Sequence, residues 1–236
     1  MPAFVEKRFL NTAAAFPDLY PERAIEPELV EAGRRLFARE ARFVAGAAEP
    51  AAWPPETLPE IAVAGRSNVG KSSLVNALCG RRMLARISNT PGRTRQINFF
   101  DLGGVLMLVD LPGYGYAEAS KSAIQRWTRL VEHYLLSRAA LRRVSLLLDA
   151  RHGIKEIDRP VLRMLDRAGV SYQIVLTKID KLGAAELAGN AEQVKAELAA
   201  HSAAHPEIHL TSAAKRLGIA ALRAALANLT PFAPSA

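Results

Sequence analysis

Eight residues, Gly65-Arg66-Ser67-Asn68-Val69-Gly70-Lys71-Ser72, carry the spacing G-x-x-x-x-G-K-S. That spacing suits the cradling of a chain of phosphates. The glycines let the backbone bend tightly, so that successive N–H groups and a helix N-terminus face the phosphate oxygens. In such a loop Lys71 reaches the β and γ oxygens, and the Ser72 hydroxyl holds Mg²⁺. The chemistry requires a strand before the loop and a helix after it. Residues 61–64, Ile-Ala-Val-Ala, have the length and β-branched content of a buried parallel strand. Residues 73–78, beginning at Ser73, read as the first turns of a helix. A glycine-rich turn met by chance would not bring both neighbours with it.

Three further polar motifs follow apolar runs. Asp110-Leu111-Pro112-Gly113 succeeds the run 105–109, where an acid helps hold Mg²⁺ through its water shell. Gly113 is placed for its backbone N–H to approach a γ-phosphate with no Cβ in the way. Thr177-Lys178-Ile179-Asp180 ends another apolar run, and its carboxylate can accept two hydrogen bonds side by side. Guanine offers N1–H and N2–H₂ in that arrangement and adenine does not, so Asp180 favours guanine, by the logic that a site built to pair polar groups rejects the wrong base. Lys178 would lie along the base and the phosphate loop. In Thr211-Ser212-Ala213, the N–H groups of Ser212 and Ala213 would face the guanine carbonyl. The five histidines show no metal-site spacing, and Cys79 reads as a small core residue on the first helix.

The elements that must position these motifs follow from periodicity and breakers. Prolines 2, 17, 21 and 27 interrupt the start of the chain, so residues 1–42 are expected to form a loosely attached extension, with a short helix within 28–42. The nucleotide domain then spans 43–232. Residues 43–46 allow a short strand, and 51–59 an extended connector. Residues 83–96 are rich in breakers and are expected to stay mobile until something orders them. Strands at 97–102 and 105–110 meet at Gly103-Gly104, a hairpin turn. Residues 121–138 place Ile124, Trp127, Val131, Tyr134 and Leu135 at helical spacing, with Trp127 in the core. Strands at 144–148, 172–176 and 208–210 alternate with helices. The first of these helices is capped by Asp158 and closed by Gly169, the second spans 184–200, and the last carries Leu217, Leu222 and Leu226. The fold class is α/β: a three-layer α/β/α sandwich around a mainly parallel six-stranded sheet with one antiparallel strand. Ligands bind beyond the carboxyl ends of such strands, and all four motifs sit there.

The chain has 236 residues, half of them hydrophobic, enough for one full core. Its longest apolar runs are too short to cross a bilayer, and a single cysteine and the lack of a secretory leader fit the cytoplasm. The formal charge is +8. Residues 60–100 hold Arg66, Lys71, Arg81, Arg82, Arg86, Arg93 and Arg95 against one acid, Glu60. Those are too many for one nucleotide and suit a polyanion such as RNA. On charge alone, a solvated basic face explains them equally well.

The wordings Gly-Arg-Ser-Asn-Val-Gly-Lys-Ser, Asn89-Thr90-Pro91-Gly92-Arg93-Thr94 and Asp110-Leu111-Pro112-Gly113-Tyr114-Gly115-Tyr116-Ala117 resemble the bacterial EngB GTPases, relatives of Era in the translation-factor-related class of P-loop GTPases. The resemblance covers roughly residues 43–229. It implies a Mg²⁺-dependent GTPase that cycles between GTP and GDP, needed for assembly of the large (50S) ribosomal subunit and for normal septation and cell division. Ribosomal RNA would be a partner, and the chain a monomer away from membranes. By the same resemblance Thr94 joins Ser72 on Mg²⁺, Gly92, Arg93, Arg95 and Gln96 line the nucleotide, and Asn68 helps hold K⁺ beside the phosphates. Thr177 stands where many GTPases have Asn, which should weaken its tether to the P-loop. Tyr114 stands where Ras-like switches have a water-orienting glutamine, so slow intrinsic turnover is expected, raised by a partner or by K⁺. Against this switch stands an RNA-binding assembly factor in which guanine nucleotide is mainly structural.

Overall fold

The computed structural model describes residues 25–80, 96–115 and 121–231. Among the described residues seven strands form one sheet: β1 (Ala41–Ala47), β2 (Glu60–Gly65), β3 (Ile97–Leu102), β4 (Leu106–Asp110), β5 (Leu141–Asp149), β6 (Tyr172–Thr177) and β7 (Ala204–Leu210). Among the described residues the α-helices are α1 (Pro27–Ala38), α2 (Lys71–Cys79), α3 (Lys121–Ser137), α4 (Arg159–Ala168), α5 (Ala184–Leu198) and α6 (Ile219–Ala227). The spatial order is β1-β3-β4-β2-β5-β6-β7. β3 alone runs against its neighbours; β4, β2, β5, β6 and β7 are mutually parallel.

The strands are near-continuous apolar runs because both faces of the sheet are covered. Alternation along each strand divides the core in two. Ala62, Val109, Leu146 and Ile174 face α3, α4 and α5, where they meet Trp127, Val131, Leu162, Leu165 and Val194. Ile61, Val63, Leu108, Leu147 and Val175 face α1, α2 and α6, where they meet Leu36, Phe37, Leu74, Leu78 and Leu222. This is the expected three-layer sandwich.

The expected six strands become seven. The short strand read at 43–46 extends to Ala41–Ala47 and pairs antiparallel with β3 at the sheet edge, with a bulge between Phe43 and Ala45. Its mixed small and polar residues carry little periodic signal, and tertiary pairing decides it. β7 likewise starts at Ala204, four residues before its expected start, because its pairing with β6 begins at Tyr172↔Ala204. α1 begins at Pro27, one residue before the stretch expected to hold a short helix, and it is packed: Leu36 and Phe37 are fully buried. At Gly33 a Cβ would lie 2.7 Å from the Ala224 N, so glycine is what lets α1 and α6 touch backbone to backbone.

The order of strands positions the site. From β2 the chain passes to β4 on one side and then to β5 on the other, so the loop after β2 sits at the topological switch point. The carboxyl ends of β2, β4, β5, β6 and β7 share one rim.

Candidate functional site

The loop leaving β2 turns through Asn68 (φ 63°) and Gly70 (φ 105°) before α2 begins. The glycine supplies the left-handed conformation that L-residues rarely adopt. The first intrahelical bond runs from Leu74 N–H to Gly70 O. The first-turn N–H groups of α2 therefore precede it and point out of the helix end, where an anion is favoured. Val69 is buried in the core beneath and anchors the loop. Lys71 Nζ pairs with the Asp110 carboxylate at the end of β4, and both are largely buried. Asn98 Nδ2 lies 3.5 Å from the other Asp110 oxygen.

The β6 loop closes over the opposite side. Thr177 Oγ1 lies 2.7 Å from Val69 O and 3.2 Å from Leu148 O. The tether between the two loops is a single hydroxyl, at the end of a strand paired on both sides. Lys178, itself at φ 60°, donates from Nζ to Asn68 O at 2.8 Å and pairs with Asp149 Oδ2 at 3.0 Å. A Cβ at Gly70 would stand 3.8 Å from the Lys178 Cε, so the side chain lies along the P-loop.

Asp180 is held by the β7 loop. The Ser212 hydroxyl donates to Asp180 Oδ1 at 2.6 Å and accepts Lys215 N–H at 3.1 Å. The Ser212 hydrogen bond holds the Asp180 carboxyl below its usual range, so it stays ionised as an acceptor. The expected role of the Ser212 N–H is corrected, because it donates to Leu217 O at 3.0 Å. Ser212 and Leu217 exchange both backbone bonds, which closes a tight loop and directs Ser212 toward Asp180 through its side chain instead. Thr211 Oγ1 lies 3.1 Å from Leu176 O and buttresses β6.

Tyr114 is not at the rim in the manner of a catalytic side chain. It is buried, its ring centroid 5.6 Å from that of Trp127, and its hydroxyl donates to Asp158 Oδ1 at 2.8 Å. Trp127 is core, as expected, and its indole N–H donates to Pro112 O at 2.8 Å. Asp158 stands at the N-cap position of α4 but makes no side-chain cap bond. Its fully buried carboxylate serves Tyr114, Arg66 and the Lys155 N–H instead, a correction to its reading as a cap.

Thus the stretch Gly65, Arg66, Ser67, Asn68, Val69, Gly70, Lys71, Ser72 and Ser73 is joined to Asp110 through Lys71 and to the Thr177–Asp180 loop through Asn68 and Val69, and that loop is joined to Ser212. Gln96 lies at the start of β3, its Nε2 3.1 Å from Asn98 Oδ1. Gly92, Arg93, Thr94 and Arg95 lie outside the described residues, as do Arg81, Arg82 and Arg86. No sequence motif marks Asp149, although it ends a parallel strand on this rim. Burial pushes its carboxyl up, but hydrogen bonds from Arg151 and Lys178 outweigh that and hold it well below the usual range. The Ser72 hydroxyl and the Asp110 carboxylate are hard oxygen donors, which fits Mg²⁺.

A glycine-bounded loop at the switch point of a parallel sheet, with an ionised carboxylate held on the β6 loop, is the arrangement of a P-loop GTPase. Residues 60–178 match the family of 50S ribosome-binding GTPases. The chain is 57% identical over 225 residues to a probable GTP-binding protein EngB of Rhodospirillum rubrum, covering 93% of this chain and 97% of that one. It is 53% identical to the Cereibacter sphaeroides counterpart, over 84% of this chain and 92% of the other. The chain belongs to the EngB family of GTP-binding proteins, and hydrolyses GTP as that family does. Among solved structures it resembles a probable GTP-binding protein engB (TM-score 0.57, 24% identity, 72% of this chain and 97% of that one). It also resembles Era bound to MgGDPNP and nucleotides 1506–1542 of 16S ribosomal RNA (TM-score 0.57, 22% identity, 76% and 59%). At these identities the two structures speak for the fold.

Proposed function

We propose that the chain is a GTP-operated switch that acts in assembly of the large ribosomal subunit in the cytoplasm, and through it supports septation and cell division. One observation carries the reading: contacts between loops from β2, β4, β6 and β7 bring a phosphate cradle and a base-reading carboxylate onto one rim. In this reading Lys71 meets the β and γ oxygens, and Gly113 N–H meets the γ-phosphate. Asp180 takes guanine N1–H and N2–H₂, Lys178 covers the base, and the Ala213 N–H meets the guanine carbonyl. Ser72 and Thr94 would hold Mg²⁺, with Asp110 acting through water. The ion would neutralise charge between the β- and γ-phosphates. Asn68, exposed on the loop, would help hold K⁺ beside them. Gly92, Arg93, Arg95 and Gln96 would line the nucleotide. In this reading the nucleotide domain extends to 232 and takes in α1 and β1, whose Leu36, Phe37 and Ala41 are buried in its core, instead of starting at 43.

Position 114 supplies no glutamine, and its side chain is engaged in the core. Intrinsic turnover should therefore be slow, with the missing charge stabilisation supplied by K⁺ or by the ribosomal partner. An arginine finger in that role contributes about 10³–10⁵ in rate. Support for a ribosomal partner comes from the description of the matched family and from the positive charge gathered at residues 66–95. GTP hydrolysis should be faster in KCl than in NaCl, and faster again with large subunits. The test is co-sedimentation of the chain with purified large subunits across GTP, GDP and no nucleotide, repeated at rising salt. Binding that follows GTP and weakens with salt is expected. Binding indifferent to nucleotide would instead favour an RNA-binding factor with a structural nucleotide, and no binding would remove the ribosomal reading.

A further inference from the structure

Gly113 is held over the P-loop by anchors on both sides. Before it, Leu111 N–H donates to Val63 O at 3.0 Å. After it, Tyr114 N–H donates to Gly65 O at 3.4 Å, and Ser67 N–H donates to Tyr114 O at 2.8 Å. Residues 66 and 114 thus form a short parallel bridge outside the sheet. A Cβ at Gly113 would stand 3.5 Å from Gly65 O and 3.6 Å from Ser67 N, so this backbone lies directly on the loop.

Two main-chain bonds, one of them long at 3.4 Å, are a weak anchor on their own. The third anchor is buried. Asp158 has no exposed surface, and one of its oxygens accepts the Tyr114 hydroxyl at 2.8 Å and faces Arg66 Nε at 3.3 Å. The other accepts the Lys155 N–H at 2.8 Å. One carboxylate therefore holds both residues of the bridge at once. Its partners come from the phosphate loop, from the segment after β4 and from the turn before α4. Burial and the neighbouring carboxylate push the Tyr114 hydroxyl well above its ordinary value, so it remains a donor.

We propose that Asp158 is a positioning residue for GTP hydrolysis: through Tyr114 and Arg66 it sets the Gly113–Tyr114 backbone against the P-loop, and so sets where the Gly113 N–H meets the γ-phosphate. This rests on the assignment of the Gly113 N–H to that phosphate. It gives the tyrosine at 114 a task, the aiming of its own backbone, which a water-orienting side chain could not perform from the same position. GDP has no γ-phosphate, so its binding does not draw on this geometry.

The experiment uses the full chain with Tyr114→Phe and Asp158→Asn. It measures kcat for GTP, Kd for GDP, Kd for a non-hydrolysable GTP analogue, and melting temperature. Tyr114→Phe deletes one oxygen and keeps the ring on Trp127, so it keeps the test alive should Asp158→Asn fail to fold. Both substitutions should lower kcat by about tenfold or more, as a misplacement near 1 Å does. Both should weaken binding of the GTP analogue several-fold while leaving GDP affinity within about twofold. Wild-type kcat in Tyr114→Phe would overturn the proposal. So would a parallel loss of kcat and GDP affinity, the mark of a merely structural contact. Failure of the underlying assignment is visible separately, as wild-type protein that does not distinguish the GTP analogue from GDP.

Discussion

Two buried carboxylates at opposite ends of the sheet are each held by the same two kinds of group, a tyrosine hydroxyl and an arginine guanidinium. Glu60, at the start of β2, accepts the Tyr134 hydroxyl at 2.7 Å and pairs with the Arg138 guanidinium. Asp158, beside the rim, accepts the Tyr114 hydroxyl at 2.8 Å and faces Arg66 at 3.3 Å. Each tyrosine packs on a tryptophan at 5.6 Å, Trp53 in the first case and Trp127 in the second. What differs is what they join. The Glu60 cluster ties β2 to the end of α3 and, through Arg138 and Pro54 O, to the connector ahead of β2. The Asp158 cluster ties together two loops that touch the phosphates in the proposed reading. Identical chemistry is a rivet where it joins fixed elements, and a means of aiming where it joins a binding loop.

Arg138→Met breaks the first cluster most severely, because it strands the Glu60 carboxylate in the core. Removing one partner of a buried pair costs about 3–5 kcal/mol. Urea unfolding should show that loss, while GDP affinity of the folded fraction stays at the wild-type value. A change in GDP affinity would deny that the two ends are independent.

A buried polar group with no partner sharpens the contrast further. His209 on β7 is buried, and among the described residues its Nε2 has no hydrogen-bond partner. Burial first, then the nearby His205 and Arg143, pushes its pKa down from 6.5 to about 4. The unfolded chain therefore binds the proton more readily than the folded one between those values. Stability is present above pH 6.5 and is lost as pH falls toward 4, by about 3 kcal/mol at about 1.4 kcal/mol per unit. Unfolding at pH 7.5, 6 and 5 should show that slope in the wild type and a flatter one in His209→Leu. Equal slopes would contradict it.

The smallest effect compares like with like. Tyr134→Phe removes the hydroxyl from Glu60 and should cost about 2 kcal/mol of stability, as for a hydrogen bond to a charged group. It should leave kcat for GTP unchanged, the opposite of what Tyr114→Phe does. If both variants slow hydrolysis equally, the distinction between the two clusters disappears.

The phosphate loop was legible because backbone chemistry imposes its spacing locally: two glycines, a lysine and a serine within eight residues. The strand-end rule then placed Asp110, Asp180 and Ser212 correctly on one rim. It applied equally to Asp149, whose partner Lys178 lies on the neighbouring strand's loop, but no motif drew attention there. Asp158 escaped for a different reason. Its partner Tyr114 is 44 residues away, and at the head of a helix an aspartate reads as a cap. The Ser212 N–H was misjudged because the exchange with Leu217 depends on a tight loop that no turn signal announces. The edge strand β1 was undersized because small residues make poor alternation.

The most direct measurement concerns position 180. Asparagine in place of aspartate keeps an acceptor for N1–H but turns the second acceptor into a donor, which suits the C2 carbonyl of xanthine and opposes the amino group of guanine. Calorimetry with GDP, xanthosine diphosphate and ADP on wild type and Asp180→Asn should show GDP preferred by the wild type and xanthosine diphosphate by the variant, with ADP bound by neither. Equal GDP affinity in the two proteins, or a wild-type preference for ADP, would contradict a purine read by Asp180 with its phosphates at Lys71.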